Sequence, residues 1–168
     1  MKFTDTNLAK RRLFFPPKKG KEVDHMDAAD RAILKALVKN ARTPMKELVK
    51  AAYLSAPATS ARVSRLEADG VIKGYQTVLD PQMLGYQILA FVNVAVSPDR
   101  RPAFRTLLQD CPNVLECHHV TGNYSLILKV AFPNTRELDS FVGRLQEFGT
   151  TQTQVVFSTL VEPRQITE

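Results

Sequence analysis

Two arginines three residues apart, Arg62 and Arg65, lie in the stretch SAPATSARVSRLEADGVIKG (55–74) among short hydroxyl side chains. A guanidinium group offers planar N–H donors that fit guanine edges and phosphate oxygens, and Ser and Thr hydroxyls are lesser partners for the same groups. At helical spacing Thr59, Val63 and Leu66 share one face. Ala58, Arg62 and Arg65 share another, with Ser60 and Ser64 beside them. That outer face is either a solvated surface or one shaped to enter a groove of double-stranded DNA, and in the second case Ser55, Thr59, Ser60, Arg62, Ser64 and Arg65 are the candidates. A plainer reading pairs Arg65 with Asp69 one turn on, makes Thr59 a packing residue and leaves Ser60 and Ser64 as exposed filler.

Cys117-His118-His119, with Cys111 six residues earlier, is the second chemically able group. In a strand, neighbours point to opposite faces, so Cys117 and His119 can share a site that His118 cannot join. With no further cluster to complete four ligands, no metal site is expected, and the pattern reads as a packed strand. The sequence holds no phosphate loop, no Gly-rich dinucleotide fingerprint and no serine elbow. Cofactors are therefore expected to be none, and the residues do not point to an enzyme.

A recognition helix needs elements to aim it. Ser55 suits an N-cap, Pro57 a first turn and Gly70 a C′ position. Upstream, Asp27 can cap a helix with Asp30 three residues on, over the stripe Ile33, Leu34, Leu37 and Val38. Thr43-Pro44 reads as N-cap and first residue of a second helix whose inner side is Met45, Leu48, Val49 and Ala52. Tyr53-Leu54 leaves only a tight turn before the third helix, which is a helix-turn-helix order. The segment VIKGYQTVLD (71–80) reads as strand, turn and strand, a small wing or a linker, and Asp80-Pro81 and Gly85 mark a boundary.

Beyond the boundary the period changes. Ile88, Ala90, Val92, Val94 and Val96 alternate as one face of a strand. Phe104, Leu107 and Leu108 mark a helix, and 114–121 and 125–132 read as strands joined at Gly122-Asn123. Leu138, Phe141, Val142, Leu145 and Phe148 give another helix, ended by Gly149, and 153–161 reads as the last strand, with Val155, Phe157 and Val161 alternating. The order βαββαβ is that of a ferredoxin-like split unit, and the fold class is α+β. One face of such a sheet is left uncovered, so dimerisation is expected.

The totals agree. A chain of 168 residues holds one ordinary domain or two small ones, and a hydrophobic fraction of 44% is enough for real cores. No apolar run approaches a membrane span, and two cysteines make no disulfide framework, so the expected compartment is the cytoplasm. The net charge of +6 is uneven. Residues 1–25 carry seven basic against three acidic side chains, residues 26–80 nine against six, and residues 81–168 seven against eight. A polyanion partner is thus expected for the front of the chain only. The expected organisation is a basic flexible arm or non-native leader at 1–25, a helix-turn-helix domain at 26–75, a linker at 76–86 and a βαββαβ domain at 87–168.

The run LSAPATSARVSRLEADGVIKGYQTVLDPQMLG resembles the Lrp/AsnC family of feast/famine transcriptional regulators. RVxRLExxGVIxGY carries most of that resemblance. MDAADRAIL and NARTPMKEL extend it upstream, and ECHHVTGNYSLILKV and GTTQTQVVFSTLVE downstream. It implies a winged helix-turn-helix followed by a ligand-sensing domain, homodimers that assemble to octamers or higher oligomers, and a small-molecule effector, most often an amino acid. The residues implied for the effector are Gly122, Asn123, Tyr124, Ser125, Thr151 and Thr153. For Thr151 and Thr153, plain β-propensity at a strand's entry is an equal alternative.

Two departures bear on function. Tyr53 stands where the family usually has glycine in the turn, which leaves that turn reshaped or strained. Gly122-Asn123-Tyr124-Ser125 replaces the usual Gly-Asp-Tyr-Asp, so both carboxylates suited to an ammonium group are gone. An effector-independent DNA-architectural protein is therefore an alternative. A siroheme-decarboxylase-like enzyme of the same architecture is another, and a bound pigment's absorbance would reveal it.

Overall fold

The computed structural model describes residues 26–166; the basic arm expected at 1–25 lies outside the described residues. The chain divides into two compact units, with the break between Val78 and Leu79.

The first unit is three helices: α1 (Ala28–Lys39), α2 (Met45–Ala52) and α3 (Ala56–Ala68). Helix α1 starts at the anticipated capping box, in which the Asp30 amide donates to Asp27 Oδ1 at 2.9 Å and the Asp27 amide to Asp30 Oδ2 at 3.4 Å. Helix α2 begins one residue later than its sequence suggests, with Pro44 as N-cap. Thr43 does not cap it, because its hydroxyl turns back to the end of α1 and donates to Asn40 O at 2.6 Å and Ala36 O at 3.2 Å. Helix α3 is capped by Ser55 as expected, and Gly70 follows it at φ +76°. Ile33, Ala52 and Leu66 are the buried centre, with Leu34, Leu37, Leu54, Val63 and Ile72 packed around them.

The strand-turn-strand expected at 71–80 does not form. Ile72 instead packs down on the core and donates its amide to Leu66 O at 3.0 Å, which holds the segment against the end of α3 and away from a ladder.

The second unit has the expected βαββαβ order: β1 (Ile88–Val94), α4 (Arg101–Gln109), β2 (Val114–His119), β3 (Leu126–Phe132), α5 (Thr135–Gln146) and β4 (Thr151–Val155). The antiparallel sheet runs β2-β3-β1-β4. Ala90, Val92 and Val94 of β1 and Leu128, Val130 and Phe132 of β3 meet Phe104, Leu138, Phe141 and Leu145 of the helices in one apolar core. Gly149 is needed where the chain re-enters the sheet: a Cβ there would lie 1.9 Å from the carbonyl oxygen of Ala95.

Two strand limits differ from those read in the sequence. β2 stops at His119 and β3 starts at Leu126, so the link is no two-residue hairpin; the Val120 amide closes a longer loop on Ser125 O at 3.0 Å. The last strand spans Thr151–Val155, not 153–161. Among the described strands its neighbour is β1 alone, which begins at Ile88, so after Val156 donates to Leu89 O at 2.8 Å no ladder is left to continue. Phe157, Leu160 and Val161 stand exposed instead.

Candidate nucleic-acid interface and effector loop

Thr59 and Leu66 turn α3 inward, and the Thr59 hydroxyl donates to Ser55 O at 3.0 Å. Thr59 is wholly buried and packs as part of the core. Ser55, Pro57, Ser60, Ala61 and Ser64 face outward, all of them short. The Ser55 Oγ accepts from the Ala58 amide at 3.4 Å, a long cap bond that leaves the hydroxyl proton available.

Both arginines reach back to the start of α1. Arg62 Nη1 donates to Asp27 Oδ2 at 2.5 Å and to Asp30 Oδ1 at 3.1 Å, and Arg65 Nη2 donates to Asp30 Oδ2 at 2.5 Å. Asp30 is 0% exposed, whereas the side chains of Arg62 and Arg65 are 28% and 48% exposed. The partner of Arg65 is thus Asp30 across the domain, and Asp69 is the C-cap of α3. The Asp30 amide first, and then Arg62, hold the Asp27 carboxyl below its ordinary value. Asp27 and then Asp30 push the Arg62 guanidinium above its own.

Sequence reasoning took Asp27 and Asp30 as caps and missed that they also brace α3. A signal was present. The two acids and the two bases share the same i, i+3 spacing, so the pairs can meet face to face once α1 crosses α3. The brace still leaves Arg65 useful, because a guanidinium has donors beyond the Nη2 that Asp30 engages.

Tyr53, the C-cap of α2, adopts the left-handed conformation at φ 54° and ψ 40°, the one non-glycine residue of positive φ among those described. Its side chain is 95% exposed. The turn is therefore strained and not reshaped.

The loop residues anticipated for an effector divide by role. Gly122 takes φ +110° at the turn, with Asn123 exposed and Tyr124 half-buried beside it. Ser125 is engaged internally: its Oγ accepts from the Val96 amide at 3.0 Å and lies 3.2 Å from Val96 O, tying β3 to the end of β1. Thr151 and Thr153 pair with Val94 and Val92 on β1, and Thr151 Oγ1 accepts from Gln146 Nε2 at 3.4 Å. The sheet face away from the helices carries Phe91, Asn93, Ile127, Lys129, Glu116 and His118, read from the register. Burial alone would raise the Glu116 carboxyl, but bonds from His118 and Lys129 outweigh it and hold the group low. Cys117 lies opposite Leu128 on the other face from His118, and burial pushes its thiol up. Among the described residues no group of three His, Cys, Asp or Glu side chains could hold a metal ion. No described helix is long and apolar enough to cross a membrane.

Residues 26–73 match a family model described as winged helix-turn-helix DNA-binding, and residues 89–166 match the Lrp/AsnC ligand binding domain. The chain is 35% identical over 144 residues to the leucine-responsive regulatory protein of Escherichia coli, covering 82% of this chain and 86% of that one. Among solved structures, E. coli AsnC superposes with a TM-score of 0.76 at 30% identity, covering 85% of this chain and 99% of the other. A feast or famine regulatory protein of Mycobacterium tuberculosis, solved with L-methionine, gives 0.76 at 29% identity and covers 84% and 99%.

Proposed function

The chain belongs to the Lrp/AsnC family of transcriptional regulators, and on that premise we propose that it regulates transcription by binding DNA through α3. The observation that carries this is the outward face of α3, where Ser60, Ala61 and Ser64 are short enough to let the helix sink into a major groove, edged by a half-exposed Arg65. Ser60 and Ser64 meet base edges, Ser55 and Arg65 meet phosphates or a guanine, and Arg62 acts mainly as a brace. Thr59 leaves the set of contacts because its hydroxyl is buried. The helix-turn-helix domain of 26–75 then serves as reader, 76–86 as linker and 87–168 as the assembly and sensing domain. The chain acts in the cytoplasm, as a homodimer or larger even oligomer, by binding and not by catalysis.

An amino acid fits the sensing role, as in the relative solved with L-methionine. Here the loop's Gly122, Asn123 and Tyr124 would face it, with Thr151 and Thr153 nearby, while Ser125 holds the strands together. A second reading, an effector-independent DNA binder, is favoured by two observations: the Ser125 hydroxyl is already engaged, and residues 122–125 carry no carboxylate.

The test is binding to labelled DNA from upstream of the protein's own gene, against random DNA, with and without a mixture of the common amino acids. Specific binding that the mixture changes supports the sensor. Specific binding indifferent to the mixture supports the second reading, and no preference over random DNA sinks both. Ser64→Glu places a carboxylate toward the phosphates, so it should abolish specific binding while Tm stays within a degree or so, about the range of a surface change. Normal affinity of that variant would remove α3 from the interface.

A further inference from the structure

Lys46 and Lys50 lie one turn apart and exposed, a basic stripe along one edge of α2, and the exposed Tyr53 follows at its C-cap. Tyr53 is the one described residue held at positive φ outside glycine. A tyrosine there is strained relative to glycine, and nothing among the described residues repays it, because the ring is 95% exposed and enters neither a ring contact nor a hydrogen bond with any of them. The fold is served by the backbone alone: the Tyr53 amide caps α2 on Val49 O, and Leu54 beside it packs into the core. The strain thus fixes where an otherwise idle phenol stands, two residues ahead of the Ser55 cap of α3.

We propose that Tyr53 is a DNA-backbone contact, its phenol O–H donating to a phosphate oxygen of the strand along which Lys46 and Lys50 lie. The proposal rests on the DNA-binding reading above and adds a contact which that reading lacks. In a helix-turn-helix the helix before the reader crosses the phosphate backbone, so a basic edge on α2 closed by a donor at the turn suits that strand. The Lys50 side chain is 71% exposed and among the described residues is held by Glu47 at 3.2 Å, a surface pair that yields readily to a phosphate. A phosphate contact carries no base information. Tyr53 therefore adds affinity evenly to all sequences and sets how far the turn stands from the duplex.

The full chain is tested as wild type, Tyr53→Gly and Tyr53→Phe, on labelled DNA from upstream of its own gene and on random DNA of equal length. Both variants should lose about tenfold in affinity, by the same factor on the two DNAs, as one hydrogen bond to a charged group implies. Tyr53→Gly should at the same time raise Tm by about 2–6 °C, because glycine relieves the left-handed position. Wild-type affinity in Tyr53→Gly would overturn the contact, and wild-type affinity in Tyr53→Phe would overturn the hydroxyl's role. A loss confined to the specific DNA would overturn the phosphate assignment. A lowered Tm would show that the side chain holds the turn and would overturn the argument from strain. A wild type that binds neither DNA defeats the DNA-binding reading itself, and that result is distinct from all of these.

Discussion

The two units hold themselves together by different means. In the second, a sheet face of Val92, Val94, Leu128 and Val130 meets Phe104, Phe141 and Leu145, and the core is apolar throughout. In the first, Ile33, Ala52 and Leu66 form the buried apolar centre, with Leu48 of α2 buried too, and a wholly buried carboxylate, Asp30, has both oxygens on arginines of α3. A unit of about fifty residues buries little apolar surface, and the ion pairs between α1 and α3 make it dependent on polar partners whose removal leaves charge unpaired. The consequence is functional. In the first unit, charged residues on the candidate DNA-reading helix also fasten the fold, whereas in the second only Ser125 of the loop does so, through the Val96 backbone.

That contrast can be broken or sharpened by region-resolved hydrogen exchange, since the chain has no tryptophan to report on either unit. The largest effect is expected from Phe141→Ala, which should destabilise the second unit by about 3–5 kcal/mol and leave protection of α1–α3 unchanged. Loss of protection in both units would mean that they do not fold independently. Next comes Asp30→Ala, which should loosen the first unit alone by about 2–3 kcal/mol, below the value for a fully buried pair because both guanidinium groups reach solvent. A change under a few tenths of a kcal/mol would show the brace to be ornamental. Ser125→Ala should remove about 1 kcal/mol from the second unit and expose the Val96 amide to exchange; undiminished protection there would return Ser125 to the loop as a ligand candidate.

The smallest effect is that of acid. Asp27 has a folded value below its ordinary 3.8, so its contribution is fully present above that value and lost as pH falls through the lowered one. The first unit should therefore lose protection below about pH 4, while the second loses only what Glu116 gains from His118 and Lys129 on its sheet face and keeps its apolar core. Equal loss in both would place the acid-sensitive groups elsewhere.

Most of the fold was legible because its signals are periodic or local. The stripe of Ile33, Leu34 and Leu37, the alternation of Ile88 to Val96, the Asp27–Asp30 box and the Ser55 cap depend on residues close in sequence and appear as expected, whereas Val38, read into the same stripe, stands exposed near the end of α1. The misses lie where a distant partner decides. Thr43 left the N-cap of α2 for carbonyls of α1, and residues 71–80 gave up a ladder because Ile72 packs on α3. Residues beyond Val156 alternate as a strand should, yet β1 is too short to pair with them.

The sequence by itself determined the two-unit plan, the helix-turn-helix and the βαββαβ order, because hydrophobic period and capping are properties of neighbouring residues. It also determined that α3 would be basic and hydroxyl-rich. Only the tertiary structure decided what those groups are available for. Arg62 and Arg65 meet Asp27 and Asp30 across 32 to 35 residues of chain, Thr59 is buried, and Ser125 is engaged by Val96. Availability depends on which donors and acceptors arrive from elsewhere, and no local pattern encodes that arrival.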